Sequence, residues 1–255
     1  MCTVIVLRRS GHTWPLLLAA NRDELAQRPW RRPARHWPAH PEVIGGLDVT
    51  GGGTWLARSD RGVIAAVLNR INTLGPAPGR RSRGELPLRA AGAASARAAV
   101  AAIRALDPRA FRPFNMVLAD ADDAFWIRAT DGSDADAPAA EIFIEALPQG
   151  LSMITAYDRD DPRSPRIRRY RPLFAAASPP RPEDHDWQAW ISLMAAREAD
   201  DGAGPGGAMT VVTASGFGTV CASLMALPAE RRARPPVWLF ADGRPGEQPF
   251  VPVEA

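Results

Sequence analysis

The chain contains no lysine, so each of its 31 side-chain cations apart from histidine is an arginine. Against 28 acidic residues the formal net charge is only +3. The arginine pairs Arg31-Arg32, Arg80-Arg81 and Arg168-Arg169 are scattered rather than gathered on one periodic face. The aromatics are not interleaved with them, which argues against a nucleic-acid partner. An anionic small ligand stays compatible, because guanidinium suits phosphate and carboxylate. Cysteine is nearly absent: Cys2 and Cys221 do not make a disulfide framework, and a reducing compartment is the simpler expectation. No apolar run approaches the roughly 20 residues of a membrane span, so stable membrane insertion is not expected. Residues 1–9 carry their charges after a short apolar run, the reverse of a secretory signal, and no lipoprotein-type leader precedes Cys2. The expected location is cytoplasmic. Metal-ligand spacing is also missing. His36 and His40 are separated by Pro38, and His12 and His185 stand alone, so no metal is expected.

What is present is a core-forming composition, 46% hydrophobic, over 255 residues. Residues 2–7 and 14–20 read as a hairpin of buried strands, ended by Asn21-Arg22-Asp23-Glu24. Four prolines between Gln27 and Pro41 predict a loop. Residues 51–57 and 62–68 predict a second hairpin with Asn69 at its exit. Ser82 and Glu85 fit a capping box, while Pro87 allows a start slipped to about Glu85, before an alanine-rich helix that runs to Leu106 and is open to a break near Gly92. Strands are expected at 114–119, 124–129, 142–146, 209–213, 220–226 and 237–240, a short strand or loop at 150–155, and a polar turn at 131–139. Further helices are expected at 166–177 and 186–199. Strands followed by grouped helices suit antiparallel sheets rather than a doubly wound parallel one.

Cys2 carries the most chemistry. Methionine is normally removed before a small second residue, which would leave a thiol and a free α-amine on one residue. Their reference pKa values are about 8.5 and about 8, so the amine can act as base for the thiol. Position alone fits equally a small buried residue in an edge strand. The hairpin brings residues 21–24 back beside Cys2. There Asp23 can hold the α-ammonium, and Arg22 can lower the thiol pKa or grip an anionic group.

Met1-Cys2-Thr3, Leu18 through Glu24 and Arg28-Pro29 resemble the NRDE family, the transport-and-Golgi-organisation family of bacteria and eukaryotes. Gly45 through Asp48, Gly52 through Leu56, Gly62 through Asn69, Ser82 through Leu86, Phe114-Asn115, Gly150 through Ser152 and Gly218-Thr219 extend the resemblance in order. That family in turn resembles the N-terminal-nucleophile (Ntn) hydrolases, in particular the cysteine amidases that cleave bile salts and penicillin V. The resemblance implies a single α+β domain over 1–255: a four-layer αββα sandwich of two antiparallel sheets flanked by helices. It implies Cys2 as nucleophile for an amide or thioester bond, Asp23 at its amine and Asn69 as first oxyanion donor. Arg22 would position an acidic group, and Asn21, Glu24, Gly53, Thr54 and Trp55 would line the substrate site. The ligand would be an acyl compound or a CoA thioester. No cofactor is required, and haem is an alternative ligand, since the family is associated with haem trafficking and with lipid or CoA metabolism. In that alternative the same pocket binds without turnover. Two departures stand out. Ala20 occupies the place of an arginine found in the amidases, and Met153 that of an asparagine which supplies the second oxyanion donor.

Overall fold

The computed structural model describes residues 2–133, 138–231 and 233–254. In chain order the strands are β1 (Thr3–Arg8), β2 (Leu16–Leu25), β3 (Trp30–Ala34), β4 (Val43–Asp48), β5 (Leu56–Ser59) and β6 (Ile64–Asn69). Two helices follow, α1 (Glu85–Ala91) and α2 (Ala96–Arg104). Strands β7 (Phe114–Ala119), β8 (Ala124–Asp131), β9 (Ala140–Ala146) and β10 (Gly150–Ile154) precede helices α3 (Pro165–Ala176) and α4 (Gln188–Ala195). Strands β11 (Phe217–Leu227), β12 (Val237–Ala241) and β13 (Phe250–Pro252) close the chain. This is the α+β class expected: two antiparallel sheets with helices in two groups.

The chain divides into two compact units, one holding residues up to Arg28 with Pro148–Glu254, the other Pro29–Leu147. The first is built on a six-stranded sheet of order β10-β1-β2-β11-β12-β13. Strand β2 lies between β1 and β11, and its first eight residues are all buried, as a central strand requires. One face of this sheet packs Ile5, Leu17, Ala19 and Met153 against Ile167, Tyr170 and Phe174 of α3 and Trp190 and Met194 of α4. Ser164 caps α3 by accepting the Ile167 N–H, and Pro165 stands at its first position.

The second unit is a seven-stranded sheet running in sequence order from β3 to β9. Val43, Ala57, Ala65, Met116 and Ile127 on one face pack against Leu86 and Ala90 of α1 and Val100 and Ile103 of α2. Ser95 caps α2 by accepting the Ala98 N–H, and Gly92 separates the two helices where the sequence allowed a break.

Four local expectations are corrected. Asn21-Arg22-Asp23-Glu24 does not end the first hairpin but lies inside β2, where β11 pairs with it as far as Leu25. The proline-rich 27–41 stretch contains β3, because an edge strand with a register shift between Arg31 and Ala34 accommodates Pro33. Ser82 and Glu85 form no capping box; Gly84 precedes α1, without a side-chain cap. Residues 209–213 are not a strand, though Met209, Thr210 and Val211 are buried and Val212 bridges Gly218. The sequence reading also missed β4 and β13. The polar turn expected at 131–139 lies partly outside the described residues.

Gly53 marks a close approach. A Cβ there would lie 2.3 Å from both the carbonyl carbon and the oxygen of Gly84, whose carbonyl accepts the Thr54 N–H at 2.8 Å. The backbone it admits is that of Gly84. Gly53→Ala is expected to cost roughly 2–3 kcal/mol, read as a denaturant midpoint. Gly51→Ala, whose Cβ meets the flexible Ser82 hydroxyl at 3.4 Å and the Asp48 carboxylate at 3.6 Å, is the near-neutral control. An unchanged midpoint for Gly53→Ala would contradict this packing.

Candidate functional site

The register of β1 and β2 pairs Thr3 with Asn21, so Cys2 stands at the head of β1 beside the Arg22–Asp23 segment. The Cys2 thiol points to the Asp23 backbone carbonyl, Sγ to O 3.8 Å. Strand alternation then divides the tetrapeptide between two faces. Asn21 and Asp23 follow Leu17 and Ala19 onto the helix-covered face, and Arg22 goes to the reverse face.

On the helix-covered face Asp23 is fully enclosed. Its Oδ2 lies 3.0 Å from Nη1 of Arg166, with both side chains at most 1% exposed. Its Oδ1 accepts the Thr219 hydroxyl at 2.7 Å. The same Arg166 nitrogen donates to Thr3 Oγ1 at 2.5 Å. Thr219 Oγ1 accepts the Val211 N–H at 2.9 Å, so the buried 209–213 segment joins the network. Asn21 donates from Nδ2 to the carbonyls of Met194 and Met209 at 3.1 and 2.9 Å, tying the end of α4 to the same segment. A charge taken this far from water requires compensation on every side, which the arginine and the hydroxyls supply.

On the reverse face the register shift between Thr219 and Cys221 is decisive. Thr219 pairs with Asp23, but Cys221 pairs with Arg22. Without the extra residue, positions 219 and 221 would share a face; the bulge turns Cys221 toward Arg22. Cys2 and Cys221 are then two strand spacings apart, roughly 9–10 Å, beyond disulfide reach, and both are free thiols. Cys2 keeps some exposed surface, yet its thiol pKa is pushed up, chiefly by burial. The Asp23 charge adds to the rise, while the chain's amino-terminal charge, the Asp23 carbonyl contact and Arg22 oppose it. Burial likewise pushes Cys221 far up, with Arg22 the largest opposing influence.

Glu24 lies 3.8 Å from Arg28 and accepts the Leu25 N–H. In the other unit Asn69 ends β6 opposite Phe114. Among the described residues the Asn69 side-chain amide is not engaged in a hydrogen bond. Thr54 is buried, its hydroxyl bonding the carbonyl and N–H of Leu56. Trp55 stacks edge-on against Trp30 with centroids 5.9 Å apart, and a Cβ on Gly46 would lie 2.2 Å from the Trp55 ring. Met153 is fully buried in the helix-side core, pairs with Ile5, and has its backbone N–H held by Asp160. Among the described residues no group of three or more His, Cys, Asp or Glu is arranged to hold a metal. No helix among them is long and apolar enough to cross a membrane.

Sequence reasoning missed Arg166, and met Thr219 only within a motif. A usable signal was present. Ser164-Pro165 announces a helix start, and a cation in the first turn opposes the helix dipole. An arginine there calls for a buried anion as its partner.

The fold is that of the Ntn-hydrolase-type acylases. It is similar to the Caenorhabditis elegans ortholog of N-acylethanolamine-hydrolyzing acid amidase, with TM-score 0.56 and 14% identity over 88% of this chain and 92% of that one. Penicillin V acylase from Agrobacterium tumefaciens gives 0.51 and 13%, covering 94% and 83%. A variant of the conjugated bile acid hydrolase from Clostridium perfringens gives 0.56 and 11%, covering 99% and 92%. Within this fold the chain belongs to the family described as Transport and Golgi organisation 2, whose model matches residues 1–176. The Transport and Golgi organization protein 2 homolog of Bos taurus is 44% identical over 78 residues, 29% of this chain and 27% of its own length. The Mus musculus homolog is 41% identical over 80 residues, 30% and 28% respectively. The matched stretch thus spans little more than a quarter of the curated relatives.

Arg166→Met leaves the Asp23 carboxylate buried without its cation and is expected to cost roughly 3–5 kcal/mol. The double substitution Asp23→Asn with Arg166→Met removes both charges and is expected to recover most of that loss. Denaturant midpoints of the singles and the double give the coupling directly; simple additivity would refute a paired charge.

Proposed function

We propose that this protein is an Ntn-type amidohydrolase or thioesterase in which Cys2, freed by removal of Met1, is the nucleophile. The observation that carries the reading is the placement of Cys2 at the head of β1, its thiol on the Asp23 carbonyl and on the same face as Arg22. The α-amine of Cys2 takes the thiol proton, and Sγ attacks the carbonyl carbon of an acyl amide or acyl thioester. The family resemblance assigns the oxyanion to the Asn69 amide, an assignment that the Asn69→Ala variant tests. The C–N or C–S bond then breaks, and the leaving amine or thiol departs with the proton held by the α-ammonium. Water attacks the acyl–Cys2 thioester, releasing the acid and restoring the thiol. Arg22 lies where it can favour the thiolate or an acidic group on the substrate. Asn21 acts by holding the segments around Asp23, and Glu24 by its contact with Arg28. Gly53, Thr54 and Trp55 support the loop leading to β5. The fold neighbours named for acylethanolamine, penicillin V and bile acid hydrolysis favour an acyl compound as substrate.

A second reading is binding without turnover, with haem or an acyl-CoA held in the same pocket. Two observations favour it: burial holds the Cys2 thiol toward its protonated form, and the Met153 side chain is in the core, where it cannot donate to an oxyanion.

Acyl p-nitroanilides and acyl thioesters of increasing chain length separate the two. The hydrolase reading predicts release that Cys2→Ala abolishes and Asn69→Ala lowers about 100- to 1,000-fold, a loss in kcat rather than KM. No release from either series, together with a saturable Soret shift on haem titration, would support binding alone.

A further inference from the structure

The Cys2 centre is supported by a side chain that arrives from a separate helix. Arg166 comes from the first turn of α3, is 1% exposed, and bonds through one nitrogen both Asp23 and Thr3. Thr3 is the residue next to Cys2. Asp23 is the residue whose carbonyl meets the thiol. The guanidinium therefore grips the two neighbours of the sulfur, one on each strand, from the face opposite to it. Both bonds leave the same nitrogen, so the grip depends on a cationic donor placed at that point.

We infer that Arg166 is a positioning residue for the Cys2 centre: it locks the heads of β1 and β2 together and neutralises the carboxylate that stands behind the thiol. The inference rests on reading Cys2 as the reactive group, and it deepens that reading by assigning its electrostatic setting to a residue on α3. The charged and titratable groups around the thiol are Asp23 and Arg22 from β2, Cys221 from β11 and the chain's amino terminus, with Arg166 behind Asp23. Asp23 opposes thiolate formation and Arg22 favours it. With Arg166 in place, much of the Asp23 charge is cancelled. Without it, the uncancelled carboxylate makes the thiolate harder to form.

The test is the pH profile of alkylation of Cys2 by iodoacetamide in the folded full-length protein, followed residue by residue by peptide mass. Arg166→Met is expected to move the Cys2 profile to higher pH by roughly half to one unit. Arg166→Lys should restore it toward wild type, because the charge returns. Asp23→Asn should move it the other way, to lower pH, and the Asp23→Asn, Arg166→Met double variant should lie below Arg166→Met. The comparison of Asp23→Asn with Arg166→Lys keeps the test decisive if Arg166→Met does not fold. Folded variants whose profiles coincide with wild type would overturn the inference, reducing Arg166 to a fold-stabilising residue. That result is distinct from failure of the hydrolase reading, in which wild-type protein releases no product while the profile shifts remain.

Discussion

The buried carboxylate of Asp23 is the constraint on which this arrangement depends. Two strands, one helix and one irregular segment meet on it: β2 carries it, β11 brings Thr219, α3 brings Arg166, and the 209–213 segment is tied in through Val211. An ion pair of this kind is weak as a source of stability, since both partners lose their water. Its value lies in specificity. A one-residue slip of β2 would move Asp23 to the other face, away from its cation, and leave two charges uncompensated. The pair thus sets the register that puts Cys2 where its thiol meets the Asp23 carbonyl.

The same register assigns the residues of the Asn-Arg-Asp-Glu motif to different tasks. Asn21 and Asp23 face the helices and organise the scaffold, whereas Arg22 lies on the other face with the thiols. The bulge between Thr219 and Cys221 extends that separation into β11, giving a hydroxyl for the carboxylate on one face and a buried sulfur for the arginine on the other. A motif that reads as a cluster of charge in sequence is therefore a two-sided device in structure. The proposed chemistry uses the side with Cys2 and Arg22, and the side with Asp23 holds the two strands together.

Much of this was legible in the chain. The apolar runs of β1 and β2 gave the hairpin and so the proximity of Cys2 to residues 21–24. Gly92 gave the break between α1 and α2, and the ordered motifs gave the family. What could not be read depended on tertiary context. Pro33 reads as a strand breaker until the strand is known to be an edge. Met209 to Thr213 has strand composition, but its buried groups are satisfied by Asn21, Thr219 and Ala196 rather than by a ladder. Met153 looked like a lost catalytic donor; its side chain is part of the helix-side core, where an apolar residue packs without cost. Arg166 lies 143 residues from its partner, a distance that no local pattern spans.

The chemistry of residue 2 decides between these readings. Intact and peptide mass after brief exposure to an activated acyl ester reads it in one measurement. A single acyl group on a Cys2 that has lost Met1, with Cys221 unmodified, is the result expected. A retained Met1, or acylation of Cys221 in preference to Cys2, would contradict it.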